Sequence, residues 1–157
     1  MSRLCEEFKI VPVFMPKDLA GGAGTCESIN MKNYRHATLV ILTGAGTTGD
    51  SVLKVREGAT DGATTADLTF SYRKTAIACK TEGGDVLGTE GTSAALTLTA
   101  ASYTDMMLVV EIDPATMTDG YNWLTPYLSA VANPLVISCV AILYPKYGEA
   151  SLHSAIT

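Results

Sequence analysis

The chain has 157 residues, of which 47% are hydrophobic and only 17% charged, with a net charge of −5. That length fits one domain with a real core, and the acidic balance argues against direct nucleic-acid binding. A phosphate-tracking protein needs a basic stripe, whereas no run of Lys and Arg reaches three here.

A surface poor in charge must be covered by Thr, Ser, Gly and Ala. This is the habit of β proteins and of surfaces destined for neighbouring subunits, whose centres are depleted of charge. The N-terminal residues MSRLCEEFKIVPVFMP carry charges where a secretory signal places its apolar segment. The longest apolar run, residues 134–144, falls far short of the roughly 20 residues of a membrane-spanning helix. The expectation is a soluble protein made in the cytosol, with no membrane partner. The four cysteines form no C-x-x-C pair, so four free reduced thiols are expected, with Cys139 buried as a small hydrophobe.

In chain order, Lys9 to Phe14 reads as a strand interrupted by Pro12, which belongs at a sheet edge or in an extended arm. Residues 1–30 are expected to form such an arm, ending in a glycine hinge at residues 20–26 (AGGAGTC). Ala37 to Thr43 is almost continuously apolar or β-branched and reads as a central strand. Gly44, Gly46 and Gly49 follow in G-x-G-x-x-G spacing, which in a nucleotide site joins a strand to a helix. Here Val52 to Glu57 alternates like a strand, so the glycines are expected to close a hairpin.

Leu68, Phe70 and Tyr72 alternate with Thr69, Ser71 and Arg73, giving one buried and one wet face. Leu96 and Leu98 alternate with threonines, and Met107 to Ile112 is a second central strand. Asp113 to Thr116 reads as a turn or a single helical turn. Trp123 to Leu128 holds Pro126 at its middle, predicting an edge strand or a bulge. Leu135 to Tyr144 is the last and strongest run. Residues 58–66 and 80–94 are long Gly- and Thr-rich connections of the kind that is functional or mobile. About eight strands in this order predict an all-β, single-domain antiparallel β-sandwich over residues 31–147, with a loosely held tail at 148–157.

Catalytic and ligand chemistry finds little support. The loop acids Asp61, Asp67, Glu82, Asp85 and Glu90 lack calcium-loop spacing, so no metal site is expected. Glu111 and Asp113 share a face at a strand end, where acids more often flank a turn than form a glycosidase pair. His36 has no nucleophile motif to serve. The aromatic set Tyr34, Tyr72, Tyr103, Tyr121, Trp123, Tyr127, Tyr144 and Tyr147 is better suited to core and interface than to a sugar platform. The expectation is a protein that is not an enzyme and uses no cofactor.

Val11-Pro12-Val13, Met31-Lys32-Asn33-Tyr34-Arg35-His36-Ala37, Val110-Glu111-Ile112-Asp113 with Gly120-Tyr121, and Ala141-Ile142-Leu143-Tyr144-Pro145-Lys146-Tyr147 occur in that order. Together they resemble small structural proteins of tailed bacteriophages, several of which are capsid decoration (cement) proteins. The resemblance covers roughly residues 10–147 and implies a β-sandwich of jelly-roll type on the virion capsid surface. It implies the major capsid protein and further copies of the chain, as a homotrimer or homodimer, as partners. The alternative is a neck, tail or fibre-associated protein with carbohydrate-binding capacity, which would expose Trp123 and several tyrosines together. Phe8, Ile10, Val13, Phe14 and Met15 on the N-terminal arm are the expected partner-binding residues, reaching a neighbour by strand exchange or β-augmentation.

Overall fold

The computed structural model describes residues 3–147 and 154–156. A four-residue helix, α1 (Leu4–Glu7), leads into β1 (Lys9–Asp18), followed by two short strands, β2 (Gly24–Thr25) and β3 (Ile29–Asn30). The long strands β4 (Tyr34–Gly46) and β5 (Asp50–Gly58) precede β6 (Ala66–Leu68), β7 (Phe70–Lys74), β8 (Gly91–Ser93) and β9 (Leu96–Thr99). Helix α2 (Ala100–Tyr103), β10 (Met107–Ile112), a 3-10 turn (Pro114–Thr116), β11 (Trp123–Leu128) and β12 (Leu135–Pro145) complete the order.

These strands form two antiparallel sheets. The first runs β1-β12-β4-β10-β7-β8; the second runs β2-β11-β5-β6, with β3 also on β11 and β9 on β5. Alternation along each strand turns one side inward. Leu39 and Ile41 of β4 and Leu108 and Val110 of β10 are fully buried. They share one core with Leu53 and Val55 of β5 and with Leu124 and Leu128 of β11. The all-β sandwich expected from the sequence is therefore the observed architecture.

The connectivity differs from the sequence reading in three places. First, β4 and β5 are not a hairpin. β4 pairs with β12 and β10 in the first sheet, while β5 pairs with β11, β6 and β9 in the second. The glycine-rich link arches from one sheet to the other, and Gly49 takes φ +104, a conformation that side chains resist. Second, the alternating run from Leu68 to Arg73 is two strands, broken at Thr69. Leu68 pairs with Val55 in the second sheet and Phe70 with Ser93 in the first, while both side chains stay buried. The chain turns a corner there without losing its inward register.

Third, β11 is neither an edge nor bulged. β5 lies along one side, and β3 and β2 together cover the other, at Trp123–Leu124 and at Tyr127–Leu128. Pro126 falls in the gap between those two short partners, where no donor is required on that side.

The N-terminal segment also folds back on its own chain. β1 is the outer strand of the first sheet, paired with β12 from Lys9↔Leu143 to Asp18↔Val136. Val11 and Val13 alternate into the core and Phe14 follows, so the segment gains more from its own sandwich than from extending into solvent. Two register shifts accommodate Pro12 and Pro16 at this edge. Of the tail, residues 148–153 and 157 lie outside the described residues. Ala155 is buried, and its carbonyl accepts a 2.8 Å hydrogen bond from the Asn30 N–H.

The two long connections are tied down rather than loose. In the 58–66 loop, the Gly62 N–H donates to Ser28 Oγ (3.0 Å), and Thr125 Oγ1 donates to the Ala63 carbonyl (3.2 Å). Ser28 Oγ and Thr125 Oγ1 are 2.8 Å apart and buried, so Ser28 donates across and every hydroxyl is satisfied. Nearby, buried Glu57 accepts from the Thr118 N–H and hydroxyl at 2.8 and 2.5 Å. In the 80–94 connection, Ala76 N–H to the Val86 carbonyl and Gly88 N–H to the Lys74 carbonyl close a small ladder (3.0 and 2.8 Å).

Candidate functional site

The outer surface of the first sheet is the feature that its own fold leaves unexplained. Outward positions on β4 are His36, Thr38, Val40 and Leu42; on β12 they are Val136, Ser138, Val140, Ile142 and Tyr144; on β10 they are Met107, Val109 and Glu111. Register lines these side chains up across the strands. Pro12, Val140, Val40 and Val109 form one row, and Ile10, Ile142, Thr38 and Glu111 the next. Leu42 sits between Ser138 and Met107 and is 50% exposed, while Val136, Val140 and Ile10 are each about 40% exposed. No outward charge interrupts β12, and on β4 the outward face from Thr38 to Leu42 carries none.

Charges gather at one margin of this face. Glu111 Oε2 accepts a hydrogen bond from Thr38 Oγ1 (2.8 Å) and contacts His36 Nε2, and the His36 ring meets Tyr144 edge to face. Arg73 donates to Glu90 (2.8 Å) and to the Gly88 carbonyl (3.2 Å). Between Glu111 and Arg73 lies an open cleft of about 410 Å³, lined also by Ser71, Tyr72, Leu87, Glu90 and Val109. Of its charged groups, Arg73 and Glu90 are paired with each other, and Glu111 is engaged by Thr38 and His36 of β4.

The opposite surface, on the second sheet, is of another kind. Lys54 and Arg56 project from β5 and both reach Asp67 on β6, at 2.6 and 3.3 Å. The Lys54 ammonium, by donating a hydrogen bond, holds the Asp67 carboxyl below the usual carboxylate range, and Arg56 adds to the effect. Arg56 also lies 4.3 Å over the Tyr127 ring. Trp123 shares this side with Tyr127, as does Thr125, which the 58–66 loop buries. The second face is therefore wet and ion-paired, and the first is apolar.

The residues singled out in the sequence are dispersed. Phe8 packs edge to face on Tyr144, with ring centres 4.8 Å apart. Val13 and Phe14 are in the core and unavailable to a partner, whereas Ile10 and Met15 point outward, Met15 at 70% exposure. Glu111 and Asp113 do not act as a pair: Asp113 caps the 3-10 turn by accepting from the Ala115 N–H at 2.9 Å. The tyrosines do not form one platform, since Tyr34 and Tyr103 are buried. Among the described residues, no three His, Cys, Asp or Glu side chains are grouped to hold a metal ion, and no helix is long and apolar enough to cross a membrane. The sequence signal for the apolar face was the nearly continuous run of hydrophobic residues in β4, β10 and β12, interrupted only at Thr38, Glu111 and Ser138 between residues 37–42, 107–112 and 135–143. Such runs characterise strands buried on both sides.

All four cysteines are free, Cys26 and Cys139 buried and Cys5 and Cys79 exposed. Burial pushes the Cys26 thiol up to about 12 and raises Cys139 as well, so neither supplies thiolate at neutral pH. A disulfide reagent at pH 8 is therefore expected to titrate two thiols rapidly in the native chain and four after unfolding. Rapid reaction of all four in the folded chain would contradict this burial.

No protein-family model, curated protein or solved structure matches the chain.

Proposed function

We propose that this chain is a non-enzymatic virion structural protein of the capsid-decoration type, acting by surface contact as a homo-oligomer on the head shell. The observation that carries the reading is the apolar outer face of the first sheet, which the described residues leave uncovered. Monomeric proteins rarely expose a large contiguous apolar surface, and such surfaces mark interaction sites. The resemblance of its short motifs to those of small structural proteins of tailed phages supplies the biological setting for the proposal. A part repeated over a shell gains its hold by multivalency, so modest individual contacts suffice.

The test is co-sedimentation of the purified chain with empty shells of a tailed phage that lack it, followed by electron cryomicroscopy of the loaded particles. The expected result is saturable binding at a fixed ratio to the major capsid protein, with density on the head lattice. Density confined to the neck or tail would replace this reading, as would glycan-array binding that is lost in Trp123→Ala. The latter outcome would follow from Trp123 and Tyr127 sharing the outer face of the second sheet.

A further inference from the structure

We infer that the apolar outer face of the first sheet is the contact surface for a second copy of this chain, packed face to face about a two-fold axis. The inference rests on the reading of the chain as an assembly part, and it names the occupant.

Size is the first argument. The four strands with apolar outward side chains, β1, β12, β4 and β10, at about 4.8 Å spacing and over about 20–26 Å of length, outline roughly 500 Å². Two copies would bury about 1,000 Å² in total, about the least that a specific interface buries. The second argument is charge. The chain is net −5, so two copies repel over most of their surface. In a two-fold contact each patch meets itself, and any outward charge near its centre meets its own like. Val40, Leu42, Val140 and Ile142 at the centre carry none, and the charges nearest them, Glu111 and Arg73, are held at the margin by His36 and Glu90. This face therefore suits self-association, while the ion-paired second face does not.

The edges give the third argument. β1 carries Pro12, Pro16 and two register shifts, and β8 at the other edge has only three residues. Neither offers the long unpaired ladder that strand addition needs, so on this sheet the face, not an edge, is the surface open to association. Packed sheets sit about 10 Å apart with strands within roughly 30° of parallel, a geometry open to side chains as short as Val.

The test is sedimentation equilibrium on the full chain up to about 100 µM, where dimerisation is governed by protomer concentration. The expected mass is twice 16.5 kDa for the native chain. Val140→Lys is expected to weaken association about 100-fold or more by placing like charges across the axis, with an unchanged circular dichroism spectrum. Thr97→Lys, exposed on the second sheet, is expected to leave the dimer intact. If Val140→Lys does not fold, Val140→Cys in a Cys5→Ser, Cys79→Ser background is the second probe, expected to cross-link between copies with a short bis-maleimide. A monomer at that concentration, a trimer, or a dimer indifferent to Val140→Lys would overturn the inference. A monomer that still loads onto shells would overturn it, and the homo-oligomer with it, while leaving shell decoration itself intact. A face-to-face dimer that fails to bind shells would support it and remove that reading.

Discussion

Replacing Phe70 with Ala is expected to lower the free energy of unfolding by about 3–5 kcal/mol, the range for truncating a buried aromatic. Phe70 is 2% exposed and opens β7, two residues after Leu68 has closed its pairing in the other sheet. Its ring stands edge to face with Tyr72 at 6.4 Å, so the truncation also removes an aromatic pair. Three neighbouring segments limit collapse around the void. Leu68 is fixed by β5, Ser93 by its pairing with residue 70 itself, and Tyr72 by its pairing with Val110. Urea unfolding checks this: the midpoint should fall while the slope with denaturant stays unchanged. A loss under about 1 kcal/mol would mean that the corner is loosely packed and does not join the two sheets tightly.

That corner also shows why some of the architecture was legible in the sequence and some was not. Met107–Ile112 and Leu135 onward were readable because long alternating or continuous runs identify strands whatever their neighbours. Which sheet a strand joins was not readable. Leu68, Phe70 and Tyr72 alternate inward whether the chain continues straight or turns at Thr69, because both sheets face the same core. The same holds for β4 and β5, whose short glycine link serves a hairpin or an arch equally well. β2 and β3, with two residues each, are too short to carry any periodicity.

The candidate surface lay in plain view in the same runs. A continuous apolar strand announces burial on both sides, but only topology reveals that this chain covers one of them. Val140 and Cys139 look alike as letters in an apolar run. β12 turns Cys139 into the core and leaves Val140 outside. Val13 and Phe14, expected on a partner-binding arm, turn inward for the converse reason, while Ile10 and Met15 stay outside. Val11 and Val13 have the alternation of an edge strand, and their own sheet was the nearest apolar surface available.

Gly58 should tolerate no side chain, and the reason can be tested by relieving it. A Cβ built at this position would lie 2.2 Å from Ala63 Cβ and 3.2 Å from the Ala63 backbone. Neither partner can withdraw cheaply. The Gly58 carbonyl accepts from the Asn122 N–H (3.2 Å), and residue 58 pairs with Trp123 at the end of β5. Next to it, the Thr65 N–H is bound to the Glu57 carbonyl, and the Ala63 carbonyl is held by Thr125. Gly58→Ala is therefore expected to cost about 1–3 kcal/mol, the range for overpacking a well-fitted site. Ala63→Gly alone should cost less, through the added freedom of the unfolded chain. Together the two changes should be less damaging than their sum, since Ala63→Gly removes the atom in closest conflict. A coupling of about 0.5 kcal/mol or more in the relieving direction, measured by a double-mutant cycle in urea, is the expected result. Strict additivity would place the strain of Gly58→Ala in the backbone contacts instead. The 58–66 loop would then be fixed by its hydrogen bonds to Ser28 and Thr125 rather than by close contact with β5.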